Sequence, residues 1–412
     1  MKARGILCFL GVLFLTLFCG KNNIFSAQKN INPSSKTVSA SQSKNNTKNI
    51  HTKQTNNNNK TNANFIVIDN VKYLTIDDVQ KSLVLELYSS DSKTHNATYY
   101  KGNARIEFCA GHDYIIYNST KIFLSKQILY REIDNKNNVK KRSLFSKLID
   151  HRRLLISFED YNEVLLPLLV PHLISVQHYS KTVKRIVIDA GHGGKDDGTS
   201  NKSYGLKEKD LALQVALALQ KKLNSITVVN SKKQRENKYI VELTRTKDEF
   251  LELTTRSQKT NNFKADLFIC IHFNSAENKN AEGIEILSYP RKSKKCSNIK
   301  PGNKNDILNL VAGYSFCSVL CPSLNEVNRG VKMQELGVLR ELNVPGILIE
   351  CGFLSNDKTA KKFLTTSASN HKQINKTTNT QTYIVNTEYI NKIVDALTCG
   401  IEKYNKNLSL FK

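Results

Sequence analysis

Four ionisable residues stand apart because each sits at the end of an apolar strand-like run or at the start of a helical one. His192 follows RIVIDA in DAGHGGKDDG, and Glu208 opens a helical stretch in GLKEKDLAL. His272 closes DLFICIHFNS and Glu350 closes PGILIECGFLSN. An unpaired ionisable group beside apolar strand residues is costly, and coordination to a metal removes that cost. Two imidazoles plus one carboxylate make a three-ligand catalytic zinc set with a position open for water. A second glutamate then serves as base for that water. The separations between the four are long-range, so a plainer alternative stays open at this point. His192 could fill a glycine-rich turn, Glu208 could favour a helix N-terminus, and His272 and Glu350 could cap strands.

The elements that must position these groups alternate along residues 183–405. Arg185–Ala190 is a continuous apolar strand of the kind buried on both faces of a largely parallel sheet. Further strands are expected at Tyr239–Thr244, Asp266–Phe273, Gly283–Leu287 and Gly346–Cys351. Helices are expected at Asp210–Leu223, Thr254–Phe263, Asp306–Leu320, Asp357–Leu364 and Glu388–Tyr404. The pattern predicts an α/β fold, a mixed, largely parallel twisted sheet flanked by helices. In such sheets the carboxyl ends of the strands border the ligand crevice, which is where His192, His272 and Glu350 fall. Ser231–Asn237 and Thr366–Thr382 read as hydrophilic surface insertions. Short strands ending in a helix over 65–178 predict a preceding small α+β module. Its histidines, with His151 and His178 at its end, are scattered and read as structural.

The first residues carry a different message. Lys2 and Arg4 precede the apolar run Gly5–Cys19, which fits a signal peptide over 1–27 better than a spanning helix. Membrane contact is expected only if that signal is uncleaved or Cys19 is lipidated. Residues 28–64 are rich in Asn, Ser, Thr and Lys and read as a disordered linker. Nine Lys or Arg and no acid lie between Met1 and Asn64, part of a net charge of +25 over 412 residues. That excess favours polyanionic partners. The export signal, the diffuse placement of the basic residues and the lack of a recognisable motif exclude nucleic acid. A mean hydropathy of −0.40 excludes a multi-span membrane protein. Of nine cysteines none makes a CxxC pair, and Cys317 with Cys321 reads as two core residues.

Taken in order, IVIDAGHGGKDDG, GLKEKDLAL, VELTRTKDEFLELTTRSQKTNNFKADLFICIHFNS, NRGVKMQELGVLRE and VPGILIECGFLSN resemble the successive motifs of zinc-dependent N-acetylmuramoyl-L-alanine amidases. The resemblance spans roughly 184–405. It implies that His192, Glu208 and His272 bind one Zn2+ and that Glu350 is the catalytic base. It further implies cleavage of the amide between N-acetylmuramic acid and L-alanine, with peptidoglycan as partner and an exported location, periplasm or cell envelope. A zinc peptidase acting within the stem peptide and a non-catalytic wall-binding protein are the alternatives. The 65–178 segment resembles small wall-associated modules that precede some amidases. Arg245, Arg256, Arg329, Lys332 and Arg340 lie in or near the motifs and suit stem-peptide carboxylates, with ordinary ion pairs as the alternative. Asp197 stands where the family usually has proline, and Cys351 beside the base has a thiol that could approach the metal. Some relatives carry an inhibitory helical insert between the positions of Gly283 and Arg329. Here only a basic loop, RKSKKCSNIKPGNK, and one helix fill that interval, so strong self-inhibition is not expected. Oligomeric state is left open.

Overall fold

The computed structural model describes residues 65–133, 152–176, 179, 182–290, 303–365, 373–375, 380–382 and 385–412. The expected signal, the linker, Cys19, His151, His178 and most of the basic loop lie outside them.

The N-terminal module runs β1 (Ile66–Ile68), β2 (Val71–Thr75), α1 (Ile76–Leu83), β3 (Glu86–Ser90), β4 (Ala97–Lys101), β5 (Ala104–Phe108), β6 (Tyr114–Tyr117), β7 (Thr120–Phe123), β8 (Leu129–Glu132) and β9 (Arg152–Ser157). The short helices α2 (Phe158–Asp160) and α3 (Leu166–Leu169) close it. The hydroxyl of Thr75 caps α1 by accepting from the Asp78 amide at 3.0 Å, which satisfies a donor the helix itself leaves open.

Then follow β10 (Arg185–Ala190), a hairpin of β11 (Ser200–Asn201) and β12 (Leu206–Lys207), α4 (Glu208–Asn224), a second hairpin of β13 (Thr227–Val229) and β14 (Arg235–Asn237), and β15 (Ile240–Leu243). The chain continues through α5 (Leu253–Phe263), β16 (Leu267–Asn274), β17 (Ile284–Ser288), α6 (Asp306–Leu324), β18 (Asn328–Met333), α7 (Gly337–Arg340), β19 (Gly346–Phe353), α8 (Asp357–Lys362) and α9 (Thr387–Leu408). The Ser231–Asn237 stretch therefore contributes a strand, β14, rather than loop alone.

One sheet of eleven strands, in the order β15-β10-β16-β19-β17-β18-β7-β6-β5-β4-β3, runs from the C-terminal region into the module. It is mixed. The pairs β15–β10, β10–β16, β16–β19 and β17–β18 are parallel, whereas β17 meets β19 antiparallel. Alternation along each strand sorts side chains between two faces. Ile186, Ile188, Ile269, Ile271, Ile347 and Ile349 pack with the apolar residues of α4, α6 and α9. Val187, Phe268, Cys270, Leu287 and Leu348 pack with Val338 and Leu339 of α7 and with Phe263 of α5. Helix α6 is long and apolar enough to cross a membrane, but here it is a core helix, with Leu308, Val311, Phe316 and Leu320 buried.

The junction between module and C-terminal layer is β18. Its Val331 pairs with Ile122 of β7, and the Asn328 amide nitrogen donates to the Ser119 carbonyl and the Thr120 hydroxyl, both at 3.3 Å. Gly330 has φ +91°, and a Cβ there would lie 2.5 Å from the Lys121 carbonyl oxygen. Gly330→Ala is therefore expected to cost about 1–3 kcal/mol through backbone strain alone. Urea unfolding of the full chain measures this, and an unchanged midpoint would contradict the docking of β18 on β7.

Candidate active site

His192, Glu208 and His272 converge. One donor atom from each lies within 4.8 Å of the others, and among the described residues this is the one group of three His, Cys, Asp or Glu donors so placed. His192 lies two residues beyond β10, Glu208 is the first residue of α4, and His272 lies near the end of β16, which pairs with β10. The Glu208 Oε1 stands 3.1 Å from His192 Nε2 and 2.9 Å from His272 Nδ1. It also accepts from the Phe273 amide at 2.9 Å, while Oε2 accepts from the Thr199 amide at 2.8 Å.

These contacts set the charge states within the cluster. Burial favours protonation of Glu208, but hydrogen bonds from the two imidazoles outweigh it and bring its pKa down to about 2. Burial likewise opposes a charged His192. Glu208 and Asp196 outweigh that too and hold the imidazole up at about 9. A carboxylate wedged between two imidazole nitrogens is a donor set that a divalent cation satisfies better than one shared proton does. The space around it is kept clear, since a Cβ at Gly191 would collide with the His272 ring.

Residues absent from the expected set hold the cluster in place. Asp196 accepts from His192 Nδ1 at 2.8 Å, which turns Nε2 towards Glu208. His192 itself has φ +59°, a left-handed conformation that a non-glycine residue adopts only when its surroundings impose it. Arg256 supplies that constraint: its guanidinium donates to the His192 carbonyl at 2.7 Å, to the Ala190 carbonyl at 2.8 Å and to the Asp189 carboxylate at 2.7 Å. Arg245 donates to the carbonyls of Ala190 at 2.9 Å, Gly191 at 2.8 Å and Lys209 at 2.8 Å. Asp189 is completed by the Thr244 hydroxyl and the Cys270 thiol. Arg245 and Arg256 are only 1% and 3% exposed, so neither reaches substrate. Lys209 binds Asp197 and Asp248, each at 2.9 Å, so the aspartate in place of the family's proline ties the loop to α4.

Glu350 lies on β19 directly beside His272 of β16 in the parallel register. Its Oε2 is buried and has no hydrogen-bond partner. Burial first, then the charges of Glu208 and Glu285, push its pKa up to about 8. Cys351 turns the other way, into the cluster with Ile349, and burial pushes its thiol up; it does not face the donors. On the neighbouring strand Glu285 opposes Glu350 in register. Its carboxylate accepts from Asn274 at 2.9 Å, Arg329 at 2.9 Å and Lys332 at 2.6 Å.

A layered α/β sheet whose strand ends bring together two histidines, a glutamate and a separate unpaired carboxylate has the construction of a single-metal hydrolase. The family model described as N-acetylmuramoyl-L-alanine amidase matches residues 186–380. A Buchnera aphidicola relative named for that activity is 31% identical over 253 residues, covering 53% of this chain and 93% of its own. The chain belongs to the N-acetylmuramoyl-L-alanine amidase family. The sporulation-specific N-acetylmuramoyl-L-alanine amidase of Bacillus subtilis is 31% identical over 183 residues, 44% of this chain and 61% of its own length. The crystal structure of the amidase from Clostridium difficile 630 aligns at 29% identity with a TM-score of 0.40, covering 55% of this chain and 97% of that one.

Two measurements probe the site. Asp196→Ala should weaken zinc binding by about 10–100-fold, the usual cost of losing a partner that orients a ligating histidine; competition with a chelating dye reads it, and unchanged affinity would mean Asp196 does not orient His192. The ion-free protein should also lose stability as pH rises. His192 is raised from 6.5 to about 9 and Glu350 from 4.5 to about 8. Between the two values of each group the folded state holds a proton that the unfolded state has released. The His192 contribution is thus whole below pH 6.5 and gone above 9, and the Glu350 contribution fades from 4.5 to 8. Thermal melts of chelated protein between pH 6 and 9 should fall in Tm, with a shallower fall in Glu350→Gln. A flat profile would refute the charge assignment.

Proposed function

We propose that the chain hydrolyses the amide joining N-acetylmuramic acid to the first alanine of the peptidoglycan stem, with His192, Glu208 and His272 holding one zinc ion and Glu350 acting as base. The observation that carries this reading is a buried carboxylate oxygen without a partner, Glu350 Oε2, on the strand beside a three-donor cluster. Membership of the amidase family supports the bond assignment. The bound ion supplies Lewis-acid polarisation of the scissile carbonyl and acidification of a water.

The chain's own residues do the rest. Glu350 takes the water proton and delivers it to the departing alanine nitrogen, so one carboxylate serves both transfers. Asp196 holds the His192 tautomer with Nε2 towards Glu208, where the two would hold the ion. The Phe273 and Thr199 amides keep the Glu208 carboxylate charged and fixed. Asp189, Arg245 and Arg256 hold the backbone on which His192 stands. The same reading has residues 1–27 exporting the enzyme to the periplasm or envelope, where its polymer lies, and 65–178 acting as a wall-associated module.

Digestion of sacculi with the full chain, followed by mass spectrometry, tests the bond. The expected products are free stem peptides beginning with alanine and muramic acid bare of peptide. Glycan still carrying alanine would identify a peptidase instead, and no release at all would leave a wall-binding protein. Glu350→Gln should retain zinc yet lose about 10²–10⁴-fold in turnover, the range for a positioned general base. Full activity in that variant would remove Glu350 from the mechanism.

A further inference from the structure

Two cations share one carboxylate beside the catalytic base. Arg329 Nε and Lys332 Nζ both donate to Glu285 Oε2, at 2.9 and 2.6 Å, while Glu285 Oε1 is taken by the Asn274 side chain at 2.9 Å. Glu285 is 7% exposed, but the side chains of Arg329 and Lys332 are 34% and 31% exposed. The triad therefore carries one positive charge more than it neutralises, and it carries it at the solvent side. Both cations keep donors to spare. Arg329 uses Nε on Glu285 and Nη1 on the Glu282 carbonyl at 3.4 Å, and its Nη2 has no partner among the described residues. Its guanidinium lies 4.7 Å from the Phe353 ring centroid, a cation–π contact that helps hold it in place. Lys332 spends one of three N–H bonds on Glu285 and hangs 5.7 Å over the Phe123 ring.

The position of this surplus charge is set by the sheet. Glu285 opposes Glu350 across the antiparallel β17–β19 pair, so the two side chains lie on one face, roughly 5 Å apart at the backbone. Lys332 is near enough to Glu350 to act against the rise of its pKa. Of the other basic residues of the motif region, Arg245 and Arg256 are buried against backbone carbonyls, and Arg340 ends α7 with its Nε buried. Arg329 and Lys332 remain, one strand away from the atom that takes the proton.

Resting on the amidase reading, we propose that Arg329 and Lys332, steered by Glu285, form a subsite for a free carboxylate of the stem peptide just beyond the alanine whose amide is cut. Arg329 offers a planar donor edge suited to a carboxylate and Lys332 a mobile point charge. Glu285 is the positioning residue: it holds both cations at the site when the peptide is absent and keeps either from pairing with Glu350. The enzyme then favours stems whose second residue carries an unblocked acid over stems in which that acid is an amide.

Synthetic tetrasaccharides bearing L-alanyl-D-glutamate, or the same dipeptide with both carboxylates amidated, test this with the full-length zinc-loaded chain. The ratio of kcat/KM for the acid over the amide should be about tenfold or more, the scale of one charge-assisted hydrogen bond. In R329Q and K332Q that ratio should fall towards one, mainly through a higher KM on the acid, and R329K should restore part of it. Product inhibition gives a reading without variants: free L-alanyl-D-glutamate should inhibit the wild-type chain more strongly than its diamide. Equal cleavage of both substrates, or a preference undiminished in both variants, overturns the subsite and leaves the amidase reading standing. Cleavage of neither overturns the amidase reading and the subsite together.

Discussion

Glu208 carries a negative charge almost wholly out of water, and the architecture of the site follows from satisfying it. Two backbone amides and two imidazoles converge on its oxygens. Those partners come from two separate places: the loop between β10 and β11, which carries His192 and Thr199, and the end of β16, which carries His272 and Phe273. A buried carboxylate left with fewer would take up a proton instead. The start of α4 must therefore lie against the ends of two adjacent parallel strands, which only the β10–β16 register allows. The same convergence is a donor set that suits one divalent ion better than a shared proton. Glu350 is the counterpart. It is half-buried overall, but its Oε2 is out of water with no partner, and such an oxygen is ready to take a proton.

The next constraint is the backbone of His192. A left-handed histidine at the end of a strand exposes three successive carbonyls that no neighbouring strand accepts. Arg245 and Arg256 supply the missing donors, and Asp189 neutralises the guanidinium behind them. Guanidinium is the one side chain with enough donors in a fixed fork to close several carbonyls at once. Arginines near the motifs suggest substrate carboxylates when read along the chain, and two of them prove to be scaffold. Their number was visible in the sequence, but what they face depends on the loop's curvature, and no local pattern encodes that.

The four candidate site residues were legible because three follow or close an apolar run and Glu208 opens a helical one, and the strands and helices carrying them were legible from the same runs. RIVIDA and GILIE could hardly be other than buried strands. What stayed hidden is what the chain brings together from a distance. Nothing local marks Asp196 within its polar loop or Glu285 within its apolar strand. The NRGVKM of β18 was not legible as a strand at all, since it has no alternation of apolar and polar side chains and a glycine at its centre. It becomes one because β17 and β7 offer it two edges, an instance of tertiary pairing overriding a weak local preference.

That strand changes how the two halves of the molecule relate. Had the module been joined only by a tether, its strands would have formed a sheet of their own and β18 would have been an exposed edge. An exposed strand edge invites unwanted pairing, and here β7 covers it. The side chains that flank the pairing are the ones that hold Glu285 beside the proposed base: Arg329 and Lys332 lie on either side of the Gly330–Val331 segment that meets β7. Any movement of β7 relative to β18 would shift the cations on Glu285 and hence the charge beside Glu350. The module thus braces the strand that carries Arg329 and Lys332.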